Sequence, residues 1–433
     1  MSGAPAIVRF RVPGSRRLLA KVSLALLSWA CGGDDRTHVG WTNEAAESGR
    51  HRRRAAVRVT RTIILVTVLV VLGVGYLRSP AREAAAPARP DRPAQRRIPA
   101  GSPRFAAEAA VAAGRLQTQA ARSYTHTHLW QAAGALAATI GYMRATGSQS
   151  YLRDLGAAYE AHALPGHGFP DHYYDDDGWW VLTWIKAYDL TGNGAYLRLA
   201  KSVFAAMAQG WTHACGGGVL WSKYWPYKNA ITNEEFLRDA VLLHEATPGD
   251  TTYARWALRE WAWFAHSGML TRSHLVVDGL TGNCRPKLSS PRWTYNQGML
   301  IGALVSMANL TGHRSFLVTA GKVAHAVMHS ARLSPGGILR EPCRPLHCGR
   351  DAPMFKGIFM ENLKLLYDRV GGAAYQRYMR RNAVAVWADD RRGTAFGVSW
   401  AGPFHAPAVT AQASALAVLT TQIPQPGRGR RPG

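Results

Sequence analysis

Acidic residues are scarce in this chain: 27 Asp plus Glu stand against 52 Lys plus Arg among 433 residues, for a net charge of +25. Cysteine is scarcer still, with Cys31, Cys215, Cys284, Cys343 and Cys348 the only five. The one close pair, Cys343 and Cys348, has no second close pair to complete a tetrahedral set, which argues against a zinc site. No run of residues alternates apolar and polar in the manner of a half-buried strand, which argues against a sheet-based fold. The basic excess invites a nucleic-acid or anionic-membrane reading. Its distribution opposes that reading, because 19 basic and 6 acidic residues precede Phe105 while 33 and 21 follow. Charge gathered in an arm says little about the body of the protein, and no nucleic-acid partner is expected.

The arm itself reads as an export segment. "TIILVTVLVVLGVGYL", residues 62–77, carries no charge and follows the strongly basic "RHRRRAAVRVTR". Such a stretch is slightly short of the roughly 20 residues of a membrane span and near the upper limit of a signal-peptide core. Basic residues on its N-terminal side stay in the cytoplasm, so the remainder is sent outside. "AREAAAPA", residues 81–88, offers small residues to a peptidase; a retained signal anchor and a cleaved signal both stay open. Residues 1–61 read as a basic, disordered arm, 78–104 as a Pro/Ala/Arg-rich tether, 105–424 as the folded domain and 425–433 as a basic, disordered tail. The upstream "LLAKVSLALLSWACG" is interrupted by Lys21 and lacks a lipoprotein cleavage pattern. Met1 is the only methionine before Met143, so a misassigned start is an alternative. The expected location is extracellular or membrane-anchored, with the membrane contacted through the N-terminal segment. There, Cys343 and Cys348 can close a small disulfide loop; Cys215 with Cys284 is a looser possibility, and free buried thiols are the alternative.

From Phe105 onward, helical patterns of roughly 15 residues alternate with breaks. Twelve helices are expected, beginning near 105, 128, 148, 178, 195, 230, 251, 296, 314, 354, 373 and 407. A punctuation recurs in "ATGSQSYL" (145–152), "LTGNGAYL" (190–197) and "LTGHRSFL" (310–317), with a degraded copy in "ATPGDTTY" (246–253). In each, a glycine ends one helix and an aromatic a few residues later anchors the next, which makes a tight antiparallel hairpin. Long connections alternate with these turns, so all the long loops emerge on one face. Six hairpins with one elaborated face, and no polar capping repeat at either end, predict an all-α protein closed into an (α/α)6 barrel rather than an open solenoid.

The long loops hold the unusual residues: "THTHLWQAAG" (125–134), "YYDDDGWW" (173–180), "YKNAITNEEF" (227–236), "WTYNQG" (293–298) and "APMFKGIF" (352–359). A closed ring would bring these helix N-termini to one mouth. Asp and Asn at a helix start can be caps, and "TNEE" fits a capping box. One cap suffices, however, and each further charge in "DDD" adds repulsion. Lys356, a cation in the first turn of its helix, is opposed by the macrodipole. Two carboxylates held together, one ionised and one kept protonated by its neighbour, are the apparatus of glycoside hydrolysis. The pair must sit on the loop or at the helix lip, because neighbours inside a helix diverge. The rings of Tyr173, Tyr174, Trp179, Trp180, Trp221, Trp225, Trp293 and Tyr295 lie in or near these loops, where they can stack on pyranose faces; Trp180 and Trp184, on one helix face, read as core.

In order and spacing, "YYDDDGWWVLTWIKAYDLTG", "CGGGVLW", "YKNAITNEEFL", "WTYNQGMLIGAL" and "APMFKGIF" resemble glycoside hydrolase family 76, the endo-α-1,6-mannanases, over roughly Trp130 to Trp400. The resemblance implies the (α/α)6 barrel reached above from helix counting. It also implies catalysis by two consecutive aspartates ahead of a Trp-Trp: Asp175 as nucleophile and Asp176 as general acid/base, with retention. A one-residue slip would select Asp176 and Asp177 instead. Tyr174, Trp179, Asn229, Asn233, Asp278, Tyr295, Asn296, Gln297 and Lys356 are expected to touch substrate. Gly134 stands where the family usually has Asn, and Met354 where Gln is common. The implied activity is cleavage of mannan or a mannose-rich envelope glycan, or transfer to a sugar hydroxyl in place of water; a monomer with no cofactor or metal is expected. Two other readings keep the toroid. One is a sugar epimerase or unsaturated-uronide hydrolase using a histidine such as His128, His167 or His172; the other is a glycan-binding protein without turnover.

Overall fold

The computed structural model describes residues 103–126, 130–163, 171–344 and 347–424. The basic arm, the apolar segment 62–77, the tail 425–433, His128 and His167 lie outside the described residues. Twelve α-helices are described: α1 Pro103–His126, α2 Trp130–Thr146, α3 Leu152–His162, α4 Tyr174–Thr191, α5 Gly194–Ala208, α6 Ala230–Ala246, α7 Thr252–Phe264, α8 Thr294–Thr311, α9 Ser315–Met328, α10 Ala352–Val370, α11 Ala373–Asp389 and α12 Val409–Thr420. Each begins within four residues of its expected start. The largest deviations, four residues each, are α3, expected near 148, and α4, expected near 178. α4 instead takes Asp175, Asp176 and Asp177 into its first turn, where the positive end of the macrodipole favours acids.

Three of the four tight turns close as the punctuation predicts, at Gly147, Gly192 and Gly312; in the degraded copy Thr247, in place of a glycine, follows the helix. α4 and α8 end at Gly192 and Gly312, both left-handed (φ 75° and 73°), with their N–H groups returned to Tyr188 O and Ala308 O. A glycine takes that backbone without steric cost. After Gly192, Asn193 caps α5 by accepting the N–H of Ala195 at 3.0 Å.

The even-numbered helices form an inner ring. Each packs on the next from α2 round to α12, and α12 packs back on α2. Their sequences show why: α12 is buried at every position from Thr410 to Thr420, and α8 from Thr294 to Ala308 except Tyr295. Helices apolar or buried on all sides belong inside. Close approach depends on small residues. A Cβ at Gly298 of α8 would stand 2.4 Å from Phe359 Cα of α10. The odd-numbered helices lie outside and bury one stripe, as α7 does with Ala257, Glu260, Trp263 and Phe264. Trp180 and Trp184 are core, stacked 5.4 Å apart, as their spacing suggests.

The long connections, 163–173, 209–229, 265–293, 329–351 and 390–408, all run from an outer helix to an inner one. They therefore all reach N-termini of the inner ring. The last contains the one strand pair of the described residues, β1 (Arg391–Arg392) with β2 (Ala395–Phe396). Disulfides brace this face. Cys343 bonds Cys348, and Cys215 bonds Cys284 across 69 residues, stapling the connection 209–229 to 265–293. Among the described residues no helix is long and apolar enough to cross a membrane.

Candidate active site

The acid triplet opens α4, and its three members are treated differently. Asp177 is fully buried and accepts the backbone N–H of Asp171 at 2.8 Å, so it ties the incoming loop to the helix. Asp175 and Asp176 are half-buried at the lip. Trp221, from the connection 209–229, donates its indole N–H to Asp175 Oδ2 at 3.0 Å, while its carbonyl accepts the N–H of Tyr174 at 2.9 Å. Burial raises both carboxyl pKa values. For Asp175 the Trp221 bond and backbone N–H groups of the first turn oppose the rise. Asp176 has no such relief: after burial, the charge of Asp175 raises it further, then those of Asp171, Asp177 and Asp351. Both carboxyls are raised, and Asp176 carries in addition the repulsion of its acidic neighbours.

Acids and rings surround the pair. Glu235 of α6 is fully buried; its pKa lies well above the usual range through burial and then the charge of Asp175. It lies against Gly178, where a Cβ would meet Glu235 Oε2 at 2.6 Å. Tyr295 of α8 feels Asp278, Asp175, Glu235 and Glu234 together. Its ring stacks on Phe355 of α10 at 3.8 Å. Phe355 meets Trp130 of α2 at 5.9 Å, and Trp130 meets Trp179 of α4 at 5.4 Å. Four inner helices therefore present one continuous aromatic belt beside the acids. Asp278 accepts the Tyr227 hydroxyl at 2.7 Å and belongs to the same neighbourhood.

Several expected substrate contacts require correction. Asn233 is fully buried, and its amide is consumed by backbone: Oδ1 accepts Val219 N–H, while Nδ2 donates to Val219 O and Asn229 O. Gln297 repeats the device on Val276 N–H, Val276 O and Trp293 O. Both are clamps that hold a long loop to the fourth residue of its helix. Tyr174 is buried, its ring against Gly210 and under the Lys223 ammonium, 5.5 Å from the centroid. Lys356 donates to Val398 O and lies over Trp400, in a separate cavity of about 300 Å³ that Glu341 and the Cys343–Cys348 loop also line. "TNEE" is not a capping box: α6 starts earlier, at Ala230, and Glu235 lies beside the aspartates. Asn229 and Asn296 are buried with side-chain oxygens that no protein group engages. Both sit at the N-terminal end of inner helices.

The two departures from the family pattern meet. A Cβ at Gly134 would lie 2.3 Å from Met354 Sδ, so the methionine fills the volume that a larger residue at 134 would need. Together with Trp179 they line a small cavity among the inner helices. Sequence reasoning missed Trp130, Phe355 and Glu235 as members of the site, and it took Trp221 for a stacking ring without its N–H. The only signal for them was position: each lies within or beside one of the quoted motifs.

The sequence model of glycosyl hydrolase family 76 matches residues 111–428. The mannan endo-1,6-alpha-mannosidase DCW1 of Saccharomyces cerevisiae is 25% identical over 299 residues, covering 63% of this chain and 66% of that protein. The DCW1 protein of Candida albicans is 28% identical over 210 residues, 44% of this chain and 46% of its own. The chain thus spans between about half and two thirds of the length of these relatives. Among solved structures, the alpha-1,6-mannanase GH76A of Salegentibacter sp. HEL1_6 shares the fold at a TM-score of 0.66 and 21% identity, covering 74% of this chain and 99% of its own. That structure is an inactive variant with two consecutive aspartates changed to asparagine, in complex with alpha-1,6-mannotriose. Dfg5 from Chaetomium thermophilum, in complex with glucosamine, gives 0.65 at 19% identity, covering 74% and 90%. The family match extends over well more than half of the sequence, and this chain belongs to glycosyl hydrolase family 76.

Proposed function

We propose that the chain is an exported endo-α-1,6-mannosidase that cleaves mannan, or a mannose-rich glycan of the cell envelope, with retention of configuration. The observation that carries this reading is the unequal treatment of two adjacent acids at the mouth of the ring. Asp175, held by the Trp221 N–H and the first-turn amides, is the carboxylate that attacks the anomeric carbon. Asp176, kept protonated by burial and by the neighbouring charge, gives its proton to the glycosidic oxygen as the C–O bond breaks. The products of this step are a mannosyl ester on Asp175 and a free chain end. Asp176, now a carboxylate, takes a proton from water, and the hydroxide oxygen attacks the same carbon and releases Asp175. Retention requires a carboxyl separation of about 5 Å, which two neighbouring first-turn side chains can reach. Commitment of Asp177 to the loop backbone favours this pair over the pair one residue later.

Substrate class rests on the family and on its named relatives, which are α-1,6-mannan enzymes. Asp278, Tyr295, Asn229 and Asn296 remain the polar groups proposed to touch sugar, beside the aromatic belt to which Tyr295 belongs. Export is supported by two disulfides, which persist in oxidising compartments, and by the apolar segment 62–77 with its basic flank.

The test is direct. The purified full chain is incubated with unbranched α-1,6-mannan, and the products are sized over time. The proposal expects oligosaccharides of intermediate length before free mannose. Mannose released one unit at a time from chain ends, or no cleavage at all, would overturn it.

A further inference from the structure

We infer that Tyr173, Trp221 and Trp225 form a sugar-stacking ledge that takes a mannose unit of the polymer outside the linkage being cut, and that its occupation steadies the nucleophile through Trp221. The inference rests on the mannanase reading above and adds to it a reason for preferring long chains.

Among the described residues the exposed large hydrophobic side chains are mostly isolated aliphatics; the two aromatic ones are neighbours, Tyr224 (66%) and Trp225 (51%). Both lie in the connection that carries Trp221. Apolar rings grouped on a surface need a partner to justify them, and packing alone would have buried them.

Trp225 and Trp221 are stacked at 5.6 Å and 24°, and Tyr173 meets them at 6.0 Å and 4.9 Å. The cluster offers partly open ring faces beginning at the residue bonded to Asp175 and extending outward. Tyr224 closes the outer edge, its ring 5.0 Å from His172 and its hydroxyl 3.0 Å from His172 Nδ1. Pyranoses have one apolar C–H face, and flat aromatic side chains with few rotatable bonds hold it at small entropic cost. The backbone is already fixed. Trp221 N–H donates to Tyr227 O at 2.7 Å, its carbonyl accepts from Tyr174, and Pro226 restricts Trp225 to extended angles. Polar groups for the sugar hydroxyls are near, in Lys223 and His172.

Trp221 belongs to the ledge by its ring and to the nucleophile by its N–H, 3.0 Å from Asp175 Oδ2. A sugar pressed on Trp225 limits the motion of the ring stacked below it. Trp221 is therefore a positioning residue, and Trp225 is the residue that touches the distant sugar.

The experiment compares wild type with Trp225→Ala and Trp225→Tyr in the full chain, using α-1,6-mannooligosaccharides of increasing length. The expected loss for Trp225→Ala grows with chain length to roughly tenfold in kcat/KM, appears in kcat as well as KM, and is largely restored by Trp225→Tyr. In an Asp175→Asn background, where turnover is removed, Trp225→Ala should also weaken binding of the long oligosaccharides, read by tryptophan fluorescence. A loss of equal size at every length, or none with binding unchanged, overturns the ledge. A loss confined to KM overturns its link to Asp175. Failure of the mannanase reading is recognised separately, because the wild type itself would then leave α-1,6-mannan intact.

Discussion

Asp175→Asn is expected to lower mannan cleavage by roughly four orders of magnitude or more, the scale on which loss of a covalent nucleophile is felt. The amide has the shape of the acid and still accepts the Trp221 N–H, so the fold around it stays as it is. Stability should hold or rise, since a half-buried charge is replaced by a neutral group. The loss is therefore chemical rather than structural, and a thermal melt run beside the assay separates the two. Removing the side chain altogether, as Asp175→Ala, opens space on the face of the sugar that the nucleophile occupied. Azide with an activated aryl α-mannoside should then restore turnover and give the β-mannosyl azide. Rescue of that stereochemistry requires Asp175 to lie opposite the leaving group.

Asp176→Ala should behave differently in three respects. Cleavage of mannan, whose leaving group is a poor one, is expected to fall by about 10²–10⁴-fold, the range for a general acid. An aryl α-mannoside with an acidic phenol needs little protonation, so its mannosyl-enzyme should form at near wild-type rate and then accumulate, because no base is left for the second step. Azide should relieve this block and yield the α-mannosyl azide, the opposite product from Asp175→Ala. The pH profile gives the third difference. In the wild type, activity needs Asp175 ionised and Asp176 protonated. Both groups are raised, Asp176 the more so, so the rate should climb as Asp175 ionises and decline as Asp176 loses its proton. Both limbs are expected above the ordinary carboxylate range near pH 4. In Asp176→Ala the alkaline limb should vanish.

The fold was legible because its rules are local. Gly192 and Gly312 end helices by their backbone preference, an aromatic follows to anchor the next helix, and helices without a polar face go inside. Alternation of tight and long connections then dictates that "YYDDDGWW", "WTYNQG" and "APMFKGIF" share one mouth. What was not legible depends on side-chain direction and on distant partners. Met354, Phe355 and Lys356 are consecutive in α10, yet the helical turn of about 100° per residue sends them to Gly134, to Tyr295 and to Val398. Asn233 and Gln297 look like sugar contacts because an amide that clamps a loop backbone and one that binds a hydroxyl are the same residue type in the same place. The Trp221 bond to Asp175 joins positions 46 apart, and nothing in either motif announces it. Of the cysteine pairs, spacing favoured only Cys343 with Cys348; the Cys215–Cys284 bridge needed the ring to bring its loops together.

The most direct measurement is to trap the ester. A fluorinated mannosyl fluoride that loads the enzyme but resists release is added, and the protein is digested and mapped by mass spectrometry. One mannosyl adduct on Asp175 is the predicted result. An adduct on Asp176, Asp177 or Glu235 instead, or none while mannan is cleaved with inversion, would contradict the division of labour between these two acids.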